Sequence, residues 1–169
     1  CIRDSICSES TMAVHKLQID DFEDVDYSLI AIHSSLEDYR LAYFVNRELE
    51  IKLEKCPNDL GVKQKEDLAF FSRYFFEDED NEIAWHLIQN KNSISTVQTN
   101  AGLLFNADMY AFSTNVFFLP ELKTADFVLK IENGYQEDDT LQRLLQVKHI
   151  TTAYKVDHYK LKSKNNLIF

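Results

Sequence analysis

The chain reads as an α+β domain, a mostly antiparallel sheet with two helices packed on one face. Three observations predict it. Apolar segments recur in the order strand, helix, several strands, helix, the segregated order of α+β domains. Only three glycines and two prolines interrupt 169 residues, so long regular elements joined by polar turns are expected rather than a loop-dominated scaffold. Hydrophobic residues at 45% and charged residues at 27% are enough for one real core, and the length is too short for two comfortable domains.

The elements follow in order. Val14, Leu17 and Ile19 form a short apolar opening, an acidic turn covers residues 20–24, and residues 27–33 are apolar enough for a central strand. Ser34 or Ser35 can cap the next helix, with Glu37 and Asp38 in its first turn, where carboxylates complement the helix dipole. That helix should end near Leu49 or Leu53, burying Leu41, Val45 and Leu49 with Tyr39 and Tyr43 beside them. Tyr39, Leu41, Tyr43 and Val45 also alternate, so periodicity leaves a strand open here.

Residues 56–61 are the clearest break, and a polar connection continues to about Asp67. Residues 68–76 and 83–88 then look like an antiparallel hairpin around the acidic tip 77–82. Ile83, Trp85 and Leu87 would share one face, and Ala84, His86 and Ile88 the other. A polar turn at residues 90–92 precedes strand candidates at 94–97, 103–105, 116–119 and 127–131. Asn133-Gly134 stops the last of these, and Asp138-Asp139-Thr140 starts a helix. Leu141, Leu144, Leu145, Val147 and Ile150 recur at helical spacing, with Tyr154 extending the stripe.

The net charge of −10 and the pI near 4.9 repel phosphate backbones and disfavour nucleic acid as a partner. No apolar run approaches the ~20 residues that span a bilayer, so no membrane role is expected. Cys1, Cys7 and Cys56 are odd in number and lack the companions of a zinc or disulfide framework, which makes a reducing cytoplasm the simplest home. A lipid-bearing Cys1 is the rival reading, but no charged or apolar leader segment supports it. Residues 1–11 are read as an extension outside the fold, and residues 12–169 as a single domain.

Patterns for catalysis and cofactors are missing, and no cofactor is expected. The tip 77–82 lacks the central glycine and distal glutamate of a calcium loop. His15, His33, His86, His149 and His158 form no zinc-type pair, and His86 reads as a strand residue with a local partner. Gly61, Gly102 and Gly134 build neither a nucleophile elbow nor a phosphate-cradling loop.

The segment Leu119-Pro120-Glu121-Leu122-Lys123-Thr124-Ala125-Asp126-Phe127 stands apart. Pro120 can fix a turn while Glu121 and Asp126 accept backbone N–H bonds. Paired carboxylates can also do acid–base work if one pKa is raised. The segment resembles the defining motif of the IPExxxVDY family, matching it at Pro120, Glu121 and Asp126 and departing at Leu119, Ala125 and Phe127. The resemblance extends to residues 26–32, 38–41 and 161–169 and covers nearly everything from Met12 onward. It implies a small uncharacterised cytoplasmic protein of the Bacteroidota.

Lys148 to Lys164 contains five lysines against the single acid Asp157, and Leu167-Ile168-Phe169 follows as an apolar ending. Such a stretch can dock an acidic partner or close a helix end. The leading expectation is a non-enzymatic domain acting through protein contacts with an unknown partner or as a homodimer. It would use a sheet edge or the tail residues Lys160, Lys162, Lys164, Leu167, Ile168 and Phe169. The alternative is a small enzyme or small-molecule binder with a pocket between helices and sheet, polarised by Glu121 or Asp126.

Overall fold

The computed structural model describes residues 26–64, 67–97, 111–134 and 137–169. The expected extension over residues 1–11, the opening pattern at Val14, Leu17 and Ile19, and the strand at 103–105 lie outside the described residues.

Strand β1 (Tyr27–Ser34) is followed by α1 (Asp38–Leu49), the two-residue strand β2 (Glu54–Lys55), β3 (Leu60–Gln64) and β4 (Asp67–Phe71). Next come β5 (Arg73–Asp78), β6 (Ile83–Gln89), β7 (Lys91–Val97) and β8 (Ala111–Phe117). Then β9 (Phe127–Glu132), α2 (Glu137–Gln146) and β10 (Ile150–Val156) complete the fold. A six-stranded sheet has the order β10-β1-β9-β6-β5-β2, and β3-β4 and β7-β8 form separate two-stranded ribbons. Every pairing is antiparallel, so the expected α+β fold with a sheet-dominated architecture is what the chain adopts.

Alternation assigns the two faces of the sheet. Ile30, Ile32, Leu87, Leu129 and Ile131 point to one side and pack under Leu41, Val45 and Leu49 of α1 and Leu144 of α2. Both helices lie on that face. Leu29, Ile88 and Val128 point to the other side, where Ala69 and Phe71 of β4, Val116 of β8, Phe118, Leu119, Leu161 and Leu167 cover them.

Several elements depart from the sequence reading. No serine caps α1: its N-cap is Glu37, whose side chain makes no capping bond, while Ser34 Oγ accepts from the Leu36 amide in the preceding turn. Tyr39 and Tyr43 are exposed rather than packed beside the core. The connection after Gly61 is a strand, because Leu60 and Val62 cover the second core while Gly61 faces Phe70 across the ribbon. Residues 68–76 are two strands, broken at Ser72, where the chain passes from the ribbon into the main sheet. The Ser72 carbonyl accepts from the Gln89 amide there.

Lys91 and Asn92 belong to β7 instead of a turn. The stripe ending in Ile150 and Tyr154 is helical only to Gln146, since those two residues lie on β10. Their spacing fits a helix, but β-branched Ile150, Thr151, Thr152 and Val156 suit the strand that β1 needs at its open side.

Candidate functional site: a cavity between the helices and the sheet

At one end of the helix-covered face the sheet is not fully roofed. The registers place Ser28 opposite Ile131, Ile131 opposite Trp85, and Trp85 opposite Phe76. These four side chains form one transverse row, and with strands ~4.8 Å apart the row is ~14 Å long. The neighbouring row, Ile30, Leu129, Leu87 and Tyr74, is buried. Over the first row lies a cavity of about 580 Å³, within the ~300–1,000 Å³ typical of small-molecule sites.

The end of α1 makes one wall. Glu50 adopts left-handed geometry (φ 59°), and Asn46 fixes the chain beyond it, donating to the Leu53 carbonyl (3.1 Å) and accepting from its amide (2.8 Å). The start of α2 makes the opposite wall through Glu137, Asp139, Thr140 and Arg143. The Arg143 guanidinium crosses between them, donating to the Glu48 carbonyl and pairing with Glu50 at 3.4 Å. Asp78 and Asn81 of the β5–β6 turn close the third side, with Asn81 Nδ2 donating to Asp78 at 2.8 Å. Gly134 is required at the rim, because a Cβ there would come within 2.5 Å of Ile131 Cγ2.

Ser28 is the polar group of the floor. It is 8% exposed, and its Oγ has no hydrogen-bond partner among the described residues. A buried hydroxyl without a partner costs ~1–3 kcal/mol, and Arg73 Nε and His86 Nδ1 on the opposite face are in the same state. Among the described residues no base is hydrogen-bonded to it, as an activated nucleophile requires.

The residues singled out in the sequence lie elsewhere. Neither Glu121 nor Asp126 lines the cavity, so the carboxylates expected to polarise a helix–sheet pocket are not those found there. Pro120 opens a 3₁₀ turn. Glu121 reaches across to the tail and accepts from the amides of Lys162 (2.8 Å) and Ser163 (2.9 Å) and from the Ser163 hydroxyl. Partial burial acts against its charge, but these donors outweigh it and hold the carboxyl below the usual glutamate range. Asp126 accepts from the Ser34 amide at 3.0 Å, fixing the irregular end of β1.

The tail folds against its own domain. Leu161 and Leu167 are buried in the second core, and Asn166 Nδ2 donates to the Phe118 carbonyl at 2.7 Å. Lys160 pairs with Asp157 at 2.9 Å, whereas Lys162, Lys164 and Ile168 are exposed. The Phe169 ring packs between Arg73, Lys130 and His86. Lys130 Nζ donates to the Leu167 carbonyl (2.9 Å) and pairs with Glu132. Burial lowers the His86 pKa to about 4, Glu132 opposing and Lys130 and Arg73 reinforcing the shift.

Two residues escaped the sequence reading. Asn90 is fully buried and ties the motif segment to the sheet, donating to the carbonyls of Leu122 (2.8 Å) and Ala125 (2.9 Å) and accepting from the Leu119 amide (2.8 Å). Nothing in a run of polar residues at 90–92 distinguishes it. Ser28 did carry a signal: a hydroxyl inside the apolar run of a central strand needs either a partner or a use.

Among the described residues no cluster of His, Cys, Asp or Glu could hold a metal ion, and no helix is long and apolar enough to cross a membrane. Comparison with protein-family models, curated proteins and solved structures finds no match to this chain.

Proposed function

We infer that the protein is a binding domain whose helix–sheet cavity takes a small molecule. One observation carries the reading: an unpartnered, buried Ser28 hydroxyl in the floor of a cavity of about 580 Å³, in line with Trp85 and Phe76. The floor offers an apolar and aromatic surface in Phe76, Trp85, Ile83 and Ile131, and polar and charged side chains hold the walls, a combination that can both bury and orient a ligand. Membership of the IPExxxVDY family and a cytoplasmic location are parts of the same proposal. Pro120, Glu121 and Asp126 support the first and the free thiol of Cys56 the second.

A small-molecule fragment screen by NMR tests the cavity. Binders should shift the Trp85 indole N–H and the amides of Ser28 and Thr140 together. Binders that cluster instead on Lys162 and Lys164 would contradict it.

A second reading, contact with another protein or a second copy, has its own support. Strand β10 is an edge of the main sheet and pairs only with β1 among the described residues. An open edge can accept another strand. Sedimentation across a concentration series would reveal a dimer, and a monomer throughout would remove the homodimer form of this reading.

A further inference from the structure

We propose that the helix–sheet cavity binds an organic cation, an ammonium group carried on an apolar body of aromatic size. The inference rests on the cavity being a ligand site and adds the chemistry of the ligand.

Charge is the first argument. Four carboxylates, Glu50, Asp78, Glu137 and Asp139, line the cavity against the single guanidinium of Arg143. Glu50 is engaged by Arg143, and Glu137 by Lys155 at 3.2 Å. Asp139 makes no ion pair among the described residues, and the hydrogen-bond partner of Asp78 is the neutral Asn81. The start of α2 could instead favour an anion, but its dipole amounts to ~+0.5 charge, and Glu137, Asp138 and Asp139 in its first turn more than cancel that. The field at the mouth therefore attracts a cation.

The floor is the second argument. Trp85 stands two strands from Ser28, ~10 Å along the row, so its ring, over which no cation lies among the described residues, suits the apolar body of a ligand whose ammonium sits by Ser28. Phe76 extends the aromatic surface by one strand, and Ile51, Ile83 and Ile131 add apolar lining. Such a floor suits a hydrocarbon body rather than a small inorganic ion. Ser28 lines the cavity with its Oγ covered and without a partner among the described residues, so a turn about χ1 is what brings the hydroxyl to an ammonium N–H.

The test uses three probes of matched shape, 4-phenylbutylammonium, 4-phenylbutanol and 5-phenylpentanoate, titrated into the full chain. Trp85 is the chain's single tryptophan, so its fluorescence reports the cavity floor directly, with thermal shift as a second readout. The ammonium should bind about tenfold or more tightly than the alcohol, the carboxylate most weakly, and added salt should weaken only the ammonium. Asp139→Asn, an exposed change with no ion pair to lose, should weaken the ammonium by ~2–5-fold and leave the alcohol unchanged.

Ser28→Ala should weaken the ammonium by ~5-fold or more. Equal binding of ammonium and alcohol, or preference for the carboxylate, overturns the cation while leaving a ligand cavity. No response to any of the three overturns the cation, and failure of the broader fragment screen as well removes the cavity reading with it.

Discussion

On the helix side of the sheet, Trp85 and Phe76 line a cavity and carry no cation among the described residues. On the opposite side, Tyr27 and Phe169 are met by the chain's own Lys130 and Arg73. The polar groups are less cleanly divided. On the opposite side Lys130 is held by Glu132 and the Leu167 carbonyl and Asn90 satisfies three backbone groups, yet Arg73 Nε and His86 Nδ1, like Ser28 Oγ on the helix side, meet no hydrogen-bond partner among the described residues. What separates the faces is their covering: one is closed by the chain's own ribbons and tail, and the other carries a cavity over its aromatic residues. Substitutions on the two faces should therefore separate stability from binding.

The largest loss is expected at Asn90. Asn90→Ala strips three bonds from a fully buried site, taking their partner from the Leu119 amide and the Ala125 carbonyl and leaving the Leu122 carbonyl with the Ala125 amide alone. Stability in urea should fall by ~4 kcal/mol. A loss below ~1 kcal/mol would mean that the motif segment is held by packing alone. Leu167→Ala comes next at ~3 kcal/mol, because Leu167 is 1% exposed and its loss leaves a cavity against Phe118 and Leu161. Cation binding should survive in any fraction that remains folded.

Acid should act through the sealed face. His86 is buried beside Lys130, Arg73 and Glu132, and its pKa is lowered from 6.5 to about 4. Between those values the unfolded chain binds a proton that the folded chain does not. The contribution is therefore complete above pH ~6.5 and is lost as pH falls towards about 4, by ~1–2 kcal/mol after relaxation. Below ~4.5 the hydrogen-bonded carboxylates Asp38 and Glu121, both lowered, add their own loss. Urea midpoints measured across this range should slope for the natural chain and flatten for His86→Phe. An unchanged slope would place the proton uptake elsewhere.

Much of the fold was legible because alternation is local. Ile83, Trp85 and Leu87 against His86 and Ile88 could be read directly, and the faces assigned to them are the observed ones. What failed was wherever a spacing fits two periods or a partner is distant. Leu144, Val147 and Ile150 satisfy a helix on spacing, yet the unpaired side of β1 decides for a strand. The role of Asn90 depends on a segment about thirty residues away, which no local pattern records. Glu121 and Asp126 stood out in the sequence, but their partners, Lys162, Ser163 and Ser34, are brought to them only by the fold. A pocket between helices and sheet was the alternative expectation, behind protein contacts, and the carboxylates of this cavity come from turns and helix ends that face one another only in three dimensions.

The smallest expected change in stability is also the most telling. Ser28→Ala removes a hydroxyl that is 8% exposed and without a partner, so the account predicts that the folded state keeps its stability or gains up to ~1 kcal/mol in urea unfolding, while affinity for an ammonium probe falls. A stability loss of ~1 kcal/mol or more, with binding unchanged, would show that Ser28 serves the fold like Asn90 and would contradict the claim that this face keeps its chemistry for a ligand.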